Sequence, residues 1–97
     1  MKNNVKEMNN VEVLARTIKT YEMVQELYRR FEEDKEINQQ ALVNTLDMLD
    51  IYYLTVIEFE DCLTVDIFPD PSDKERSFLV SIHNSKITDI EKRMFEY

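Results

Sequence analysis

The chemistry open to this chain is carried by carboxylates. Residues 36–73 hold nine, Glu36, Asp47, Asp50, Glu58, Glu60, Asp61, Asp66, Asp70 and Asp73, and not one Lys or Arg. Histidine and cysteine occur once each, as His83 and Cys62. Acid–base catalysis would therefore fall to His83 or to carboxylate pairs, and nucleophilic catalysis to Cys62 with His83 as its base. The sequence signature for either is missing: no serine has an evident partner, and neither a basic neighbour nor a helix start stands beside Cys62 to activate the thiol. One His and one Cys fall short of the four-ligand sets of structural zinc. Asp66, Asp70 and Asp73 offer oxygen ligands, but Pro69 and Pro71 separate them and no glycine supplies the sharp turn of a calcium loop. We therefore expect no catalytic residue, no metal and no cofactor, and do not expect an enzyme.

The absence of glycine from 97 residues sharpens that expectation, since average usage of about 7% would place several. Phosphate-binding loops, dinucleotide fingerprints and nucleophile elbows are excluded in their usual forms. Two alanines and seven asparagines fit AT-rich coding, compatible with a low-GC bacterium or its phage. The net charge is −8, and it is unevenly spread. Residues 1–35 carry seven basic and seven acidic side chains, whereas 36–97 carry five basic and thirteen acidic. A field of that sign repels nucleic-acid phosphates and anionic lipid, steers toward basic protein surfaces, and also serves solubility.

With 43% apolar content, residues 1–97 are expected to form one domain around one core. The apolar runs are too short to cross a bilayer, and the opening MKNNVKEMNN has no hydrophobic signal region, which predicts a cytoplasmic protein. The unpaired Cys62 agrees with a reducing compartment.

The elements that position these groups follow from spacing. Residues 1–8 are polar and expected to fray. Asn9 followed by Glu12 has capping-box spacing, and Val11, Leu14, Ala15, Ile18, Tyr21, Val24, Leu27, Tyr28 and Phe31 recur at three and four, predicting an amphipathic helix over 10–33 that covers a sheet. Asn38 caps a second helix through Asp50 with Leu42, Thr45, Leu46 and Leu49 inward. Two successive helices invite comparison with a DNA-binding helix-turn-helix, but the second has no basic side chain to meet phosphates. Residues 51–68 switch to alternating β-branched and aromatic text, predicting a hairpin that turns at Glu60-Asp61. Leu54, Val56, Leu63, Val65 and Ile67 then form its core face, with Tyr53, Thr55, Ile57, Phe59, Cys62, Thr64, Asp66 and Phe68 opposite. A two-residue turn suits Glu-Asp poorly, so a four-residue loop, 59–62, is expected. After the loop that begins at Pro69, residues 78–83 alternate as a third strand. Thr88 with Glu91 then predicts a short terminal helix showing Ile90, Met94 and Tyr97. The expected fold is α+β: two N-terminal helices on a three-stranded antiparallel meander with a short C-terminal helix, ααβββα, in a two-layer sandwich.

Without evident catalytic machinery, recognition remains. Aromatics (Tyr52, Tyr53, Phe59, Phe68) interleaved with carboxylates combine contact area with a field that favours basic partners. The expected role is a small acidic protein-binding inhibitor that occupies a basic, nucleic-acid-binding surface of a partner enzyme, without touching nucleic acid or membrane itself. Glu58, Glu60, Asp61, Asp66, Asp70, Asp73, Tyr53 and Phe59 are the candidate partner-binding residues. In size, charge and a glycine-free α+β layout the chain resembles small phage-borne inhibitors of host defence nucleases, including anti-CRISPR proteins, and toxin-immunity proteins; no motif carries the likeness, so no residue is transferred from it. The alternative is a non-catalytic structural or regulatory homo-oligomer, paired through a sheet edge or the long helix.

Overall fold

The computed structural model describes residues 2–94. Met1 and residues 95–97, the expected helix position Tyr97 among them, lie outside the described residues. Helix α1 runs Lys2–Glu32, so it starts well ahead of the expected residue 10. At 1.5 Å per residue its 31 residues span about 46 Å, which accounts for the 48 Å long axis of the molecule. Arg29 and Arg30 both hydrogen-bond Glu26 one turn back, and these bonds hold the Glu26 carboxyl below the usual carboxylate range.

Helix α2 spans Gln39–Met48, with the Asn38 side chain accepting from the Ala41 N–H at 2.8 Å as the spacing predicts. Both helices stop in the same way. At the end of α1, Lys35 N–H donates to Arg30 O and Asp34 N–H to Phe31 O. At the end of α2, Ile51 N–H donates to Leu46 O and Asp50 N–H to Asp47 O. These are the paired bonds of the Schellman motif, and the residue that turns left-handed is Asp34 (φ 55) or Asp50 (φ 58), where glycine is usual. Aspartate tolerates this region because its short polar side chain bonds locally.

Strands β1 (Tyr52–Phe59), β2 (Cys62–Phe68), β3 (Arg76–His83) and β4 (Lys86–Met94) form one antiparallel sheet in the order β1-β2-β3-β4. The fold is thus α+β as expected, but the sheet has four strands and the segment read as a terminal helix is β4. Two features explain the correction. Asn84 (φ 53) and Ser85 (φ 64) both take positive φ, the geometry of a tight hairpin turn that returns the chain directly against β3. Ile82 then pairs with Ile87 and Ser81 with Asp89, leaving Thr88 as the extra residue of a bulge. That extra residue lets Ile87 and Ile90 face the core three positions apart, a spacing indistinguishable from a helical one. The Thr88 hydroxyl caps no helix; it donates to Ser81 O at 3.2 Å.

The core lies between the helices and one sheet face. Val24 and Leu27 of α1, and Leu42 and Leu46 of α2, are buried with Leu63, Val65 and Ile67 of β2, Phe78, Val80 and Ile82 of β3, and Ile87 and Ile90 of β4. The β2 and β3 alternation is therefore as expected. Strand β1 differs. Glu58 opposes Leu63 as predicted, but a bulge between Thr55 and Ile57 makes Thr55 oppose Val65 and Tyr53 oppose Ile67. Past Val56 every side chain changes face, so Tyr53 packs on the core and Leu54 turns outward. Helix α1 also divides its apolar stripe. Val24 and Leu27 are buried against the sheet, while Val11, Leu14, Ile18 and Tyr21 stay largely exposed, Tyr21 with its ring edge against Phe78. Sheet contact there passes through Thr17, whose hydroxyl donates to Pro69 O, and the buried Thr20.

Candidate partner-binding surface

Three elements meet at the tip of the β1–β2 hairpin. Phe59 pairs with Cys62, so Glu60-Asp61 is a two-residue turn and the expected four-residue loop is not formed. Neither turn residue takes positive φ. Gln39, at the start of α2, donates its side-chain N–H to Phe59 O at 2.9 Å. Asn84, in the β3–β4 turn, donates its backbone N–H to Asp61 O at 2.9 Å. The tip is thereby braced from both sides around an open cleft of about 850 Å³ walled by residues 38–40, 58–61 and 84–85.

The tip is acidic and apolar together. Phe59 is 67% exposed, and Glu58, Glu60 and Asp61 are exposed around it. None of the three forms an ion pair with Lys or Arg among the described residues; His83 Nε2 lies 3.9 Å from Asp61 Oδ2, a pair that is ionic only when the imidazole is protonated. The exposure continues along β1, where Leu54, Val56 and Ile57 are open to solvent. Ile57 pairs with Thr64, and Leu54 with Asp66, so Leu54, Ile57 and Phe59 line the sheet face away from the helices.

The other candidate residues lie elsewhere or are satisfied within the fold. Asp66 is only 8% exposed and accepts from Arg93 Nη1 at 3.2 Å. Asp70 and Asp73 stand beyond the far end of β2, roughly 20 Å from the tip at 3.3 Å per strand residue. There Asp70 accepts from the Ser72 N–H and hydroxyl, and Asp73 accepts from the Glu75 N–H and pairs with Arg76. Tyr53 turns toward the helices and donates its hydroxyl to Asp47 Oδ1 at 2.8 Å. Burial, and secondarily that bond, push its phenol above the ordinary range. Tyr52 and the buried Phe68 sit against each other beneath the Lys74 ammonium, 4.0 Å above the Tyr52 ring. The structure thus brings together Glu58, Phe59, Glu60 and Asp61, and separates them from Asp66, Asp70, Asp73 and Tyr53.

Cys62 and His83 are directly opposed on β2 and β3, a proximity the sequence did not show. No hydrogen bond joins them among the described residues, and neither lines the cleft. Among the described residues no group of three His, Cys, Asp or Glu side chains is arranged to hold a metal ion, and no helix is long and apolar enough to cross a membrane. Sequence reasoning missed Leu54 and Val56, which it placed in the core. The bulge between Thr55 and Ile57 turns Leu54 outward, and no residue of the chain marks it locally.

No protein-family model matches the chain, and comparison with curated proteins and with solved structures finds no match.

Proposed function

We propose that the protein is a small acidic inhibitor that binds a basic, nucleic-acid-binding surface of a partner enzyme through the β1–β2 tip. The observation that carries this reading is the clustering of Glu58, Glu60 and Asp61, without Lys or Arg partners among the described residues, around the exposed Phe59. Carboxylates so placed stand in for phosphates in a Lys/Arg-lined groove, while Phe59 supplies apolar contact at the centre of the patch. Many other carboxylates of the chain are already engaged: Asp34 by Lys86, Asp50 by Arg16, Asp66 by Arg93 and Asp73 by Arg76. At the tip, three carboxylates without such partners stand within four residues of sequence. The resemblance to phage anti-defence and toxin-immunity proteins implies the same class of partner.

A pull-down at low and high salt tests it, with the E58K/E60K/D61K variant alongside. The expected result is a nucleic-acid-handling protein captured at low salt, released as ion pairs are screened, and lost on charge reversal. Capture that is unchanged by reversal removes this reading.

A second reading, a homo-oligomer built on α1, is favoured by one observation. Val11 and Leu14, followed seven residues on by Ile18 and Tyr21, form a largely exposed stripe along α1, with Tyr21 also placing its ring edge-on against Phe78. That spacing is two heptads of a coiled-coil seam with β-branched residues at the first position. Light scattering on the purified chain decides it: a monomer at high micromolar concentration excludes the seam as an interface.

A further inference from the structure

The two edges of the sheet are unlike. Strand β4 carries Lys86, Asp89, Glu91, Lys92 and Arg93 along its length, charges that discourage another chain from pairing there. Strand β1 carries one charge, Glu58, and residues 54–59 are exposed throughout. Hydrogen-bonded only to β2 within the sheet, it presents main-chain groups on its outer side, apolar side chains on the outer face, and carboxylates at one end.

We propose that β1 receives an extended segment of the partner as a fifth strand, with apolar and Lys/Arg side chains alternating along it. This rests on the reading of the tip as a site for a basic partner, and adds how that partner is held. Main-chain bonds supply affinity in such strand addition and alternate side chains supply specificity. Residues of the incoming strand on the outer face meet Leu54, Ile57 and Phe59, and those on the other face meet Glu58. Cations at its end nearest the tip meet Glu60 and Asp61. The bulge at Val56 interrupts the edge, so pairing on either side of it covers only a few residues and the side-chain contacts must carry much of the selectivity.

Charge decides against a second copy as the occupant. A second β1 brings no cation to the tip, because residues 36–73 hold no Lys or Arg. Pairing of two copies therefore leaves Glu58, Glu60 and Asp61 uncompensated, whereas a basic segment meets them.

The test uses the full chain and two short synthetic peptides that alternate valine and lysine, one of them N-methylated at alternate backbone amides. The unmethylated peptide should bind, weaken with salt, and slow hydrogen exchange across 54–59, and methylation should weaken it by about tenfold or more, the loss of one or two main-chain bonds. Equal binding of both peptides overturns strand addition while leaving the basic-partner reading intact. Binding of neither peptide, with capture of a partner still dependent on the tip carboxylates, also overturns strand addition alone. Binding of the unmethylated peptide that survives E58K/E60K/D61K overturns the basic-partner reading instead. A dimer that protects the β1 amides without peptide names a second copy as the occupant and overturns the proposal.

Discussion

Arg93 on β4 reaches across β3 to hold Asp66 on β2, Nη1 to Oδ2 at 3.2 Å. Ser77, directly opposite Arg93 and 3% exposed, is small enough for the guanidinium to pass. The second carboxylate oxygen, Oδ1, is buried without a hydrogen-bond partner, so Arg93 is the main compensation for a charge placed inside a sheet face.

Arg93→Met should therefore destabilise the protein by about 1–3 kcal/mol, because a buried carboxylate loses its partner. The double variant Asp66→Leu with Arg93→Met should recover most of that loss, since apolar groups of similar volume replace a buried pair at little cost. Urea midpoints of the three proteins measure it. A double variant no better than the single one would show that the cost lies in packing of the arginine stem.

Ser85→Gly should raise stability by about 1 kcal/mol. Ser85 sits at φ 64, where a β-carbon is penalised and glycine is not, and the change creates the Asn-Gly pair that the turn prefers. The bond from Ile37 N–H to Ser85 O uses the backbone and survives. A urea midpoint at or below the parent value would contradict it.

Tyr53 predicts an alkaline effect. Its folded pKa is raised, by burial first and the Asp47 bond second, so the neutral phenol is the form the fold stabilises. That contribution is complete below the unfolded phenol value of about 10 and disappears as pH rises through the folded value. Tyr53→Phe should lose stability at neutral pH and show a shallower decline at high pH, while ultraviolet titration loses a late phenolate. Parallel alkaline limbs in parent and variant would refute the assignment.

The α1 seam can be tested without disturbing the core. Ile18→Glu lies on the exposed stripe and should change stability by no more than about 0.5 kcal/mol, yet should convert any self-associated form to monomer in light scattering. An oligomer that persists in this variant is not built on the seam.

Much of the fold is written locally. Asn38 ahead of Leu42 and Leu46 specifies α2, and the alternation of Leu63, Val65 and Ile67 with that of Phe78, Val80 and Ile82 specifies which face of the central strands is buried. These signals survive because each depends on neighbours a few residues away. The two bulges do not. Thr88 and Val56 are surplus residues only with respect to the strand opposite, and one surplus residue makes a strand resemble a helix in one case and reverses its facing in the other.

The same division applies to charge. An excess of acid confined to residues 36–97 is a property of the chain, legible without coordinates. Which carboxylates keep their field is decided by cations arriving from far along the sequence, Arg16 to Asp50 over 34 residues, Lys86 to Asp34 over 52, and Arg93 to Asp66 over 27. Coulomb energy depends on distance in space and on the medium between the charges, and folding sets both. Folding leaves Glu58, Glu60 and Asp61 without Lys or Arg neighbours in ion-pair range, on a tip braced by Gln39 and Asn84.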